Sequence, residues 1–280
     1  MCRRDEVLPI EVINSNLPRG RFRSALFDFD GTLSLIREGW QGVMIPMIVG
    51  ALLETPRHES QERIEEIVTD FVAELTGEQT IYQMMRLAEE VERRGGEARD
   101  PLEYKREYLA RLWDRIEGRV VALEGGGAAP EEFLVAGARE VLEALKERGV
   151  ELYLASGTDQ DDVVREVGAL GLTRYFEERI FGARERYWEL SKEKLIAQIV
   201  GEHGTDGAEL VTFGDGYVEI EQTKRAGGVA VGVASDEARR EGVDEWKRER
   251  LIRAGADVIV PDFREHRKLV SYLWGEVETG

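Results

Sequence analysis

Cysteine is almost absent from this chain: Cys2 is the only one in 280 residues. That excludes an internal disulfide framework and fits a reducing compartment; beside the N-terminus the thiol reads as mobile and inert. Histidine is scarce too, and His58, His203 and His266 are scattered without ligand spacing, as ordinary surface residues would be. Long apolar runs are missing. Val43 to Leu53 is the most membrane-like stretch, too short for a bilayer and interrupted by Pro46 and Gly50, so a buried or amphipathic helix is expected there. Met1 to Pro9 has two arginines but no apolar core of signal-peptide type. A soluble, cytoplasmic protein with no membrane partner is expected. Positive charge is also short: 38 Lys and Arg against 56 Asp and Glu leave a net charge of -18 and a pI near 4.8. Such a surface repels a polyanionic backbone, which argues against nucleic acid as a partner. An anionic small molecule would have to be attracted at short range by a local site.

What is present is a globular composition, 42% hydrophobic and 34% charged. Ser24 to Asp28 reads as a short buried strand with the polar sequence Asp28-Phe29-Asp30-Gly31-Thr32 at its carboxyl end. Strand character then disappears until about Ala129. Helix-period stretches lie near Gln41–Glu54, Glu59–Leu75, Gln79–Arg93 and Leu102–Glu117, with breakers at Pro56, Gly77, Gly95-Gly96 and Pro101. Gly125 to Pro130 reads as a flexible return linker. Its glycines are not a phosphate loop, because no strand precedes them and no helix-opening Lys-Ser/Thr follows.

After Pro130 helices and strands alternate. Strands are expected at Leu152–Ala155, Arg179–Phe181, Leu210–Phe213, Val229–Val233 and Asp257–Val260, and helices at Ala138–Arg148, Asp159–Leu170 and from Ser191 to about Glu202. Pro9 to Ile13 could add an edge strand. The fold class is therefore α/β: a Rossmann-like parallel sheet with helices on both faces, plus an all-helical cap inserted after the first core strand. The expected division is 1–33 and 131–280 for the core and 34–130 for the cap.

Ligands of open α/β sheets bind outside the carboxyl ends of the strands. Asp28 and Asp30 fall there, as do Ser156-Gly157-Thr158, and Gly214-Asp215 followed by Glu219; Lys192 opens the helix leading into the strand before Asp215. A phosphate and a divalent metal need groups of this kind. In this order they resemble the four motifs of the haloacid dehalogenase (HAD) superfamily over residues 20–33 and 131–275, leaving the helical insert uncovered. The first motif is highly specific when it follows an apolar strand; the serine and lysine motifs gain force only from order and placement. Lys194 is the alternative for the lysine, but Lys192 directly follows the cap residue Ser191 and is favoured.

Residues i and i+2 of an extended segment face the same way, so Asp28 and Asp30 can address one substrate. Asp28 is a plausible nucleophile, since carboxylates form acyl phosphates, and Asp30 a general acid and base, which requires the two pKa values to be pushed apart. Two carboxylates beside a dianionic phosphate need a hard cation, Mg2+, held by Asp28, Asp215 and, by resemblance, the Asp30 carbonyl. Glu219, one turn past Asp215, would orient Asp215 or a bound water rather than bind the metal. Ser156, Gly157 and Lys192 would hold the phosphoryl oxygens. Singly, most of these residues have duller readings, as turn formers, helix caps or solvated lysines; together, at one sheet edge, they do not.

From Asp30 to Ser156 is 126 positions and from Ser156 to Asp215 only 59, so the insert follows the first motif, as in the C1-cap branch of the superfamily. A lid there would exclude water and restrict substrates to small phosphorylated metabolites. Arg37 or Trp40, where the chain climbs into the insert, would contact the non-phosphate end of the substrate, a sugar or a second anionic group, or else merely pack a hinge. The expected function is a Mg2+-dependent phosphatase working through an aspartyl-phosphate on a sugar phosphate or similar metabolite. The alternatives are a sugar phosphomutase with the same core residues and a catalytically silent phosphometabolite-binding protein. A dehalogenase is disfavoured, because that branch lacks the second aspartate that Asp30 supplies.

Overall fold

The computed structural model describes residues 10–184, 191–202 and 207–276. The sheet has seven strands: β1 (Glu11–Val12), β2 (Ser24–Phe27), β3 (Glu151–Asp159), β4 (Ile180–Ala183), β5 (Leu210–Gly214), β6 (Val229–Val233) and β7 (Val258–Val260). They lie in the order β1-β7-β6-β5-β2-β3-β4, all parallel except β1, which pairs antiparallel with β7 at one edge. Of the expected edge strand Pro9–Ile13, Glu11 and Val12 pair with β7, and Pro9 lies outside the described residues.

The strand sequences explain their burial. In β2, Ala25 and Phe27 face one hydrophobic cluster and Leu26 the other, the alternation a pleated strand imposes. Phe27 stacks on Phe213 of β5 with ring centroids 4.5 Å apart, and Phe176 and Phe263 meet it edge-on. Helices α5 (Ala138–Glu147), α6 (Gln160–Ala169), α7 (Thr173–Phe176) and α11 (His266–Trp274) pack on that face. On the other, α8 (Lys192–Glu202) lies against Leu26 and Tyr153, and Ile220 of α9 (Tyr217–Arg225) and Leu251 of α10 (Glu245–Arg253) cover Ala230 and Ile259.

From β2 the chain steps outward to β3 and β4, then returns to the other side of β2 as β5. The carboxyl ends of β2 and β5 therefore flank a reversal of strand order, where open α/β sheets leave a crevice. Between β2 and β3 lie α1 (Gln41–Leu53), α2 (Gln61–Glu74), α3 (Thr80–Arg93) and α4 (Pro101–Glu124). The outgoing and returning segments run side by side: Leu35 N–H donates to the Phe133 carbonyl, and Val135 N–H to that of Leu33.

Several boundaries differ from expectation. Helix α4 continues past Glu117 to Glu124, carried by the buried Val120 and Leu123. The glycines after it are a hydrogen-bonded helix stop instead of a loose linker: the Gly127 and Ala128 N–H groups both donate to the Ala122 carbonyl. Strand β3 runs on through Ser156 to Asp159, whose carboxylate is bound by Lys105 of α4 and so does not cap α6. His58 is exposed as expected; His266 is half-buried with its Nδ1 enclosed; His203 lies outside the described residues. No helix among the described residues is long and apolar enough to cross a membrane.

Candidate active site

Register decides which polar groups meet. Phe27 pairs with Leu154 on one side and Phe213 on the other, so Asp28 emerges between the ends of β3 and β5, its N–H donating to the Phe213 carbonyl at 2.9 Å. Phe29 is fully buried and anchors the following turn, which leaves Asp28 and Asp30 both lining one cavity.

The two carboxylates have different neighbours. Lys192 Nζ donates to Asp28 Oδ1 at 2.9 Å and to Glu219 Oε2 at 2.8 Å. Lys192 therefore reaches the Asp28 carboxylate from the first turn of α8, as its place after Ser191 suggested. Burial pushes the Asp28 carboxyl well above the usual range, against the pull of Lys192, with repulsion from Glu219 and Asp215 adding to the rise. Burial disfavours charge on Lys192, but Asp28 and Glu219 outweigh it and raise the lysine's pKa.

Asp30 Oδ2 accepts from the Thr158 hydroxyl at 2.8 Å and, at the limit of hydrogen bonding, from Ser156 Oγ at 3.5 Å. Its Oδ1 is enclosed and has no partner among the described residues. Burial raises the Asp30 pKa against Arg37 and the two hydroxyls, so this carboxyl tends toward the protonated, donating form. Ser156 Oγ itself accepts the Thr158 N–H at 3.0 Å. Gly157 stands against the insert: a Cβ there would lie 2.8 Å from the Glu78 carbonyl oxygen.

Asp215, from the end of β5, approaches so closely that a Cβ on Gly31 would sit 2.3 Å from its Oδ2; the left-handed turn at Gly31 (φ +74°) has room for no other residue. Carboxylate oxygens of Asp28, Asp215 and Glu219 lie within 4.8 Å of one another. A hard divalent cation suits this oxygen set, and Asp28 Oδ2 and Asp215 Oδ1 remain without a protein hydrogen bond among the described residues. Glu219 is fully buried, one oxygen accepting the Gly216 N–H at 2.8 Å and the other Lys192. Glu219, expected to orient Asp215 or a bound water, thus hydrogen-bonds Lys192 and the backbone at Gly216.

Arg37 and Trp40 also line the cavity, but Arg37 is not a free cation. Its guanidinium is buried and grips Glu166 of α6, Nη2 donating at 2.6 Å and Nε at 3.0 Å, with Asp162 at 3.3 Å. Burial drives the Glu166 pKa up to about 7 against that arginine.

Reading the sequence missed Lys247, Glu237 and Glu166, and placed Thr158 at the sheet edge without giving it a role. Lys247 is the most consequential, its Nζ lying 2.8 Å from Asp215 Oδ2, 2.7 Å from Glu237 Oε1 and 3.3 Å from Ser235 Oγ. It sits in the first turn of α10, three residues past the cap Asp244. Like Lys192, it is a lysine in a first helical turn, where its charge opposes the helix dipole, and that is the local signal it offers.

A model of the haloacid dehalogenase-like hydrolase family matches residues 22–227. The chain belongs to that family. The hydrolase also resembles solved structures at low identity. A predicted phosphoglycolate phosphatase from Haemophilus somnus is 18% identical, with a TM-score of 0.58 over 89% of this chain and 98% of that one. A HAD family hydrolase from Deinococcus radiodurans, with bound phosphate and sodium, is 19% identical, with a TM-score of 0.52 over 91% and 96%. A putative β-phosphoglucomutase from Thermotoga maritima is 17% identical, with a TM-score of 0.50 over 91% and 100%. At these identities the likeness establishes the fold. No curated protein sequence matches the chain.

Proposed function

We propose that this hydrolase is a Mg2+-dependent phosphatase of small phosphate monoesters, acting through a phosphorylated Asp28. The observation that carries the reading is the asymmetry of the paired carboxylates: Asp28 is held by the Lys192 ammonium, Asp30 by the Thr158 hydroxyl. Burial raises both carboxyl pKa values, that of Asp28 further, so an ionised Asp28 nucleophile rests on the Lys192 ammonium together with the charge Mg2+ would bring, while Asp30 keeps its proton as the acid. Asp28 Oδ2, without a protein partner among the described residues, attacks phosphorus; the ester bond breaks, and the leaving alkoxide takes the Asp30 proton. Asp30, now a carboxylate, removes a proton from water, whose oxygen attacks phosphorus and releases Asp28 and inorganic phosphate. Lys192, Ser156 Oγ and the amide following Ser156 neutralise and orient the phosphoryl oxygens. Asp28, Asp215 and the Asp30 carbonyl would hold Mg2+, which supplies the positive charge that lets two anions meet. Glu219 fixes Lys192, and Lys247 fixes Asp215.

Residues 34–130 serve as the cap, with 1–33 and 131–280 as the core. Support comes from the contacts of the insert's Gly77-Glu78 turn with Gly157 and Gly216, and from Arg250 of α10, whose guanidinium donates to the carbonyls of Ala73, Glu74 and Thr76 at the end of α2. The substrate is a small phosphorylated metabolite. A panel of phosphate monoesters assayed with Mg2+ and with EDTA tests the reading, with Asp28→Asn as control. Phosphate release that requires Mg2+ and falls at least about a thousandfold in the variant is expected; release that survives either treatment overturns it.

A further inference from the structure

Arg37 carries the clue to the leaving group. A cation beside the site would suit a substrate with a second anion, but this one is already paired, with the buried Glu166 and with Asp162. The other charges of the cavity point the same way. Five lining residues are carboxylates (Asp28, Asp30, Glu78, Asp215 and Glu237) and two are cations (Arg37 and Lys192). Lys192 is held by Asp28 and Glu219, and Lys247 behind the wall by Asp215 and Glu237. Mg2+ and the transferred phosphoryl group would leave this balance with no positive charge to spare.

Neutral hydrogen-bonding capacity, in contrast, is open. Gln83 of α3 and Tyr108 of α4 line the same cavity, only 4% and 3% exposed, and their side chains have no hydrogen bond from a described residue. Their polar atoms are not enclosed and stay accessible from the cavity, so the hydroxyls of a ligand can take the place of water there. The Nη1 protons of Arg37 are likewise unclaimed among the described residues. The cavity beside these groups measures about 100 Å3 and shares Gly77, Glu78, Ser156, Gly157 and Lys192 with a second of about 550 Å3, room for a phosphate ester of a few carbons.

We propose that the leaving group is a small, uncharged, hydroxyl-bearing alcohol, so that the substrate is a polyol or sugar monophosphate lacking a second anion, and that Gln83 and Tyr108 read its hydroxyls. This rests on the phosphatase reading and narrows it: substrates with a carboxylate or a second phosphate at the far end are rejected by Glu78, Glu237 and the already matched Arg37.

The test uses the full chain with Mg2+ and paired substrates that differ only at the far end. Glycerol 3-phosphate and 3-phosphoglycerate share a three-carbon skeleton and exchange a hydroxymethyl group for a carboxylate; sorbitol 6-phosphate and 6-phosphogluconate do the same with six carbons. In each pair the neutral ester is expected to have the higher kcat/KM by at least about tenfold. For compounds that are not turned over, Ki against p-nitrophenyl phosphate hydrolysis gives the ranking. Gln83→Leu and Tyr108→Phe should each lower the ratio of kcat/KM for the preferred polyol ester to that for p-nitrophenyl phosphate by about fivefold or more. Equal or better use of the acids, or an unchanged ratio in both variants, overturns the proposal while leaving the phosphatase reading intact. No hydrolysis of p-nitrophenyl phosphate at all overturns the phosphatase reading, and the substrate class with it.

Discussion

Replacing Lys247 by methionine removes the cation that holds Asp215 and Glu237 while keeping most of the side chain's apolar volume. The ammonium is 2.8 Å from one carboxylate and 2.7 Å from the other, and the three side chains are only 9%, 10% and 20% exposed. At an effective dielectric of about 20, each contact is worth roughly 6 kcal/mol of Coulomb attraction. Desolvation offsets much of that, but stranding the partners of a buried pair still costs about 3–5 kcal/mol. For a chain of this length each kcal/mol moves Tm by about 2–4 °C, so Lys247→Met in EDTA should melt roughly 10 °C below the parent. Saturating MgCl2 should then raise the variant's Tm more than the parent's, because a divalent ion takes over the neutralisation of Asp215; at 100 times Kd the ion contributes about 2.7 kcal/mol. Lys247→Arg, which keeps the charge, should recover part of the loss without Mg2+. Melting curves in both buffers read all of this. Equal Mg2+-induced shifts in parent and Lys247→Met, or no loss in EDTA, would refute the idea that Lys247 serves as a built-in counter-ion.

Three further outcomes are expected. Thr158→Val deletes a hydrogen bond that pulls the Asp30 pKa down, so Asp30 keeps its proton to higher pH and the alkaline limb of kcat/KM moves upward; a pH profile showing no shift, or a downward one, contradicts that role. Gly157→Ala places a methyl 2.8 Å from the Glu78 carbonyl oxygen, so the insert's turn must back away; KM should rise by about tenfold with a change in Tm of only a few degrees, checked by kinetics and calorimetry. Glu166 titrates near 7 in the folded chain against an ordinary value of 4.5, so between these limits the folded state holds a proton that the unfolded state releases. Stability without metal should therefore fall as pH rises from about 4.5 to 7, and Glu166→Gln should flatten that slope in a series of melts.

How much was legible depends on how far apart the causes lie in the chain. The pair Asp28 and Asp30 was readable because an apolar strand and two acids two residues apart are a local pattern with a local meaning. Ser191 before Lys192 was readable in the same way, as a cap followed by a residue whose direction the first helical turn dictates; the Ser191 hydroxyl does accept the Lys194 N–H. Arg37 was legible as a cation near the site but not as a matched one, since its partner Glu166 is 129 positions away on α6. Lys247 was missed because no motif links it to Asp215.

The alternation of apolar segments and breakers, by itself, determined the α/β class, the strands and their order along the chain, and the presence of a helical segment between β2 and β3, since periodicity and turn chemistry act over a few residues. It determined, too, which acids stand at strand ends. Only the tertiary structure decided which lysine holds which carboxylate, that Glu219 serves Lys192, and that the cavity is rich in acids and holds Gln83 and Tyr108 without a side-chain hydrogen bond among the described residues. Charge pairing and burial depend on distance in space, and in a sheet that doubles back around β2 that distance bears little relation to position in the chain.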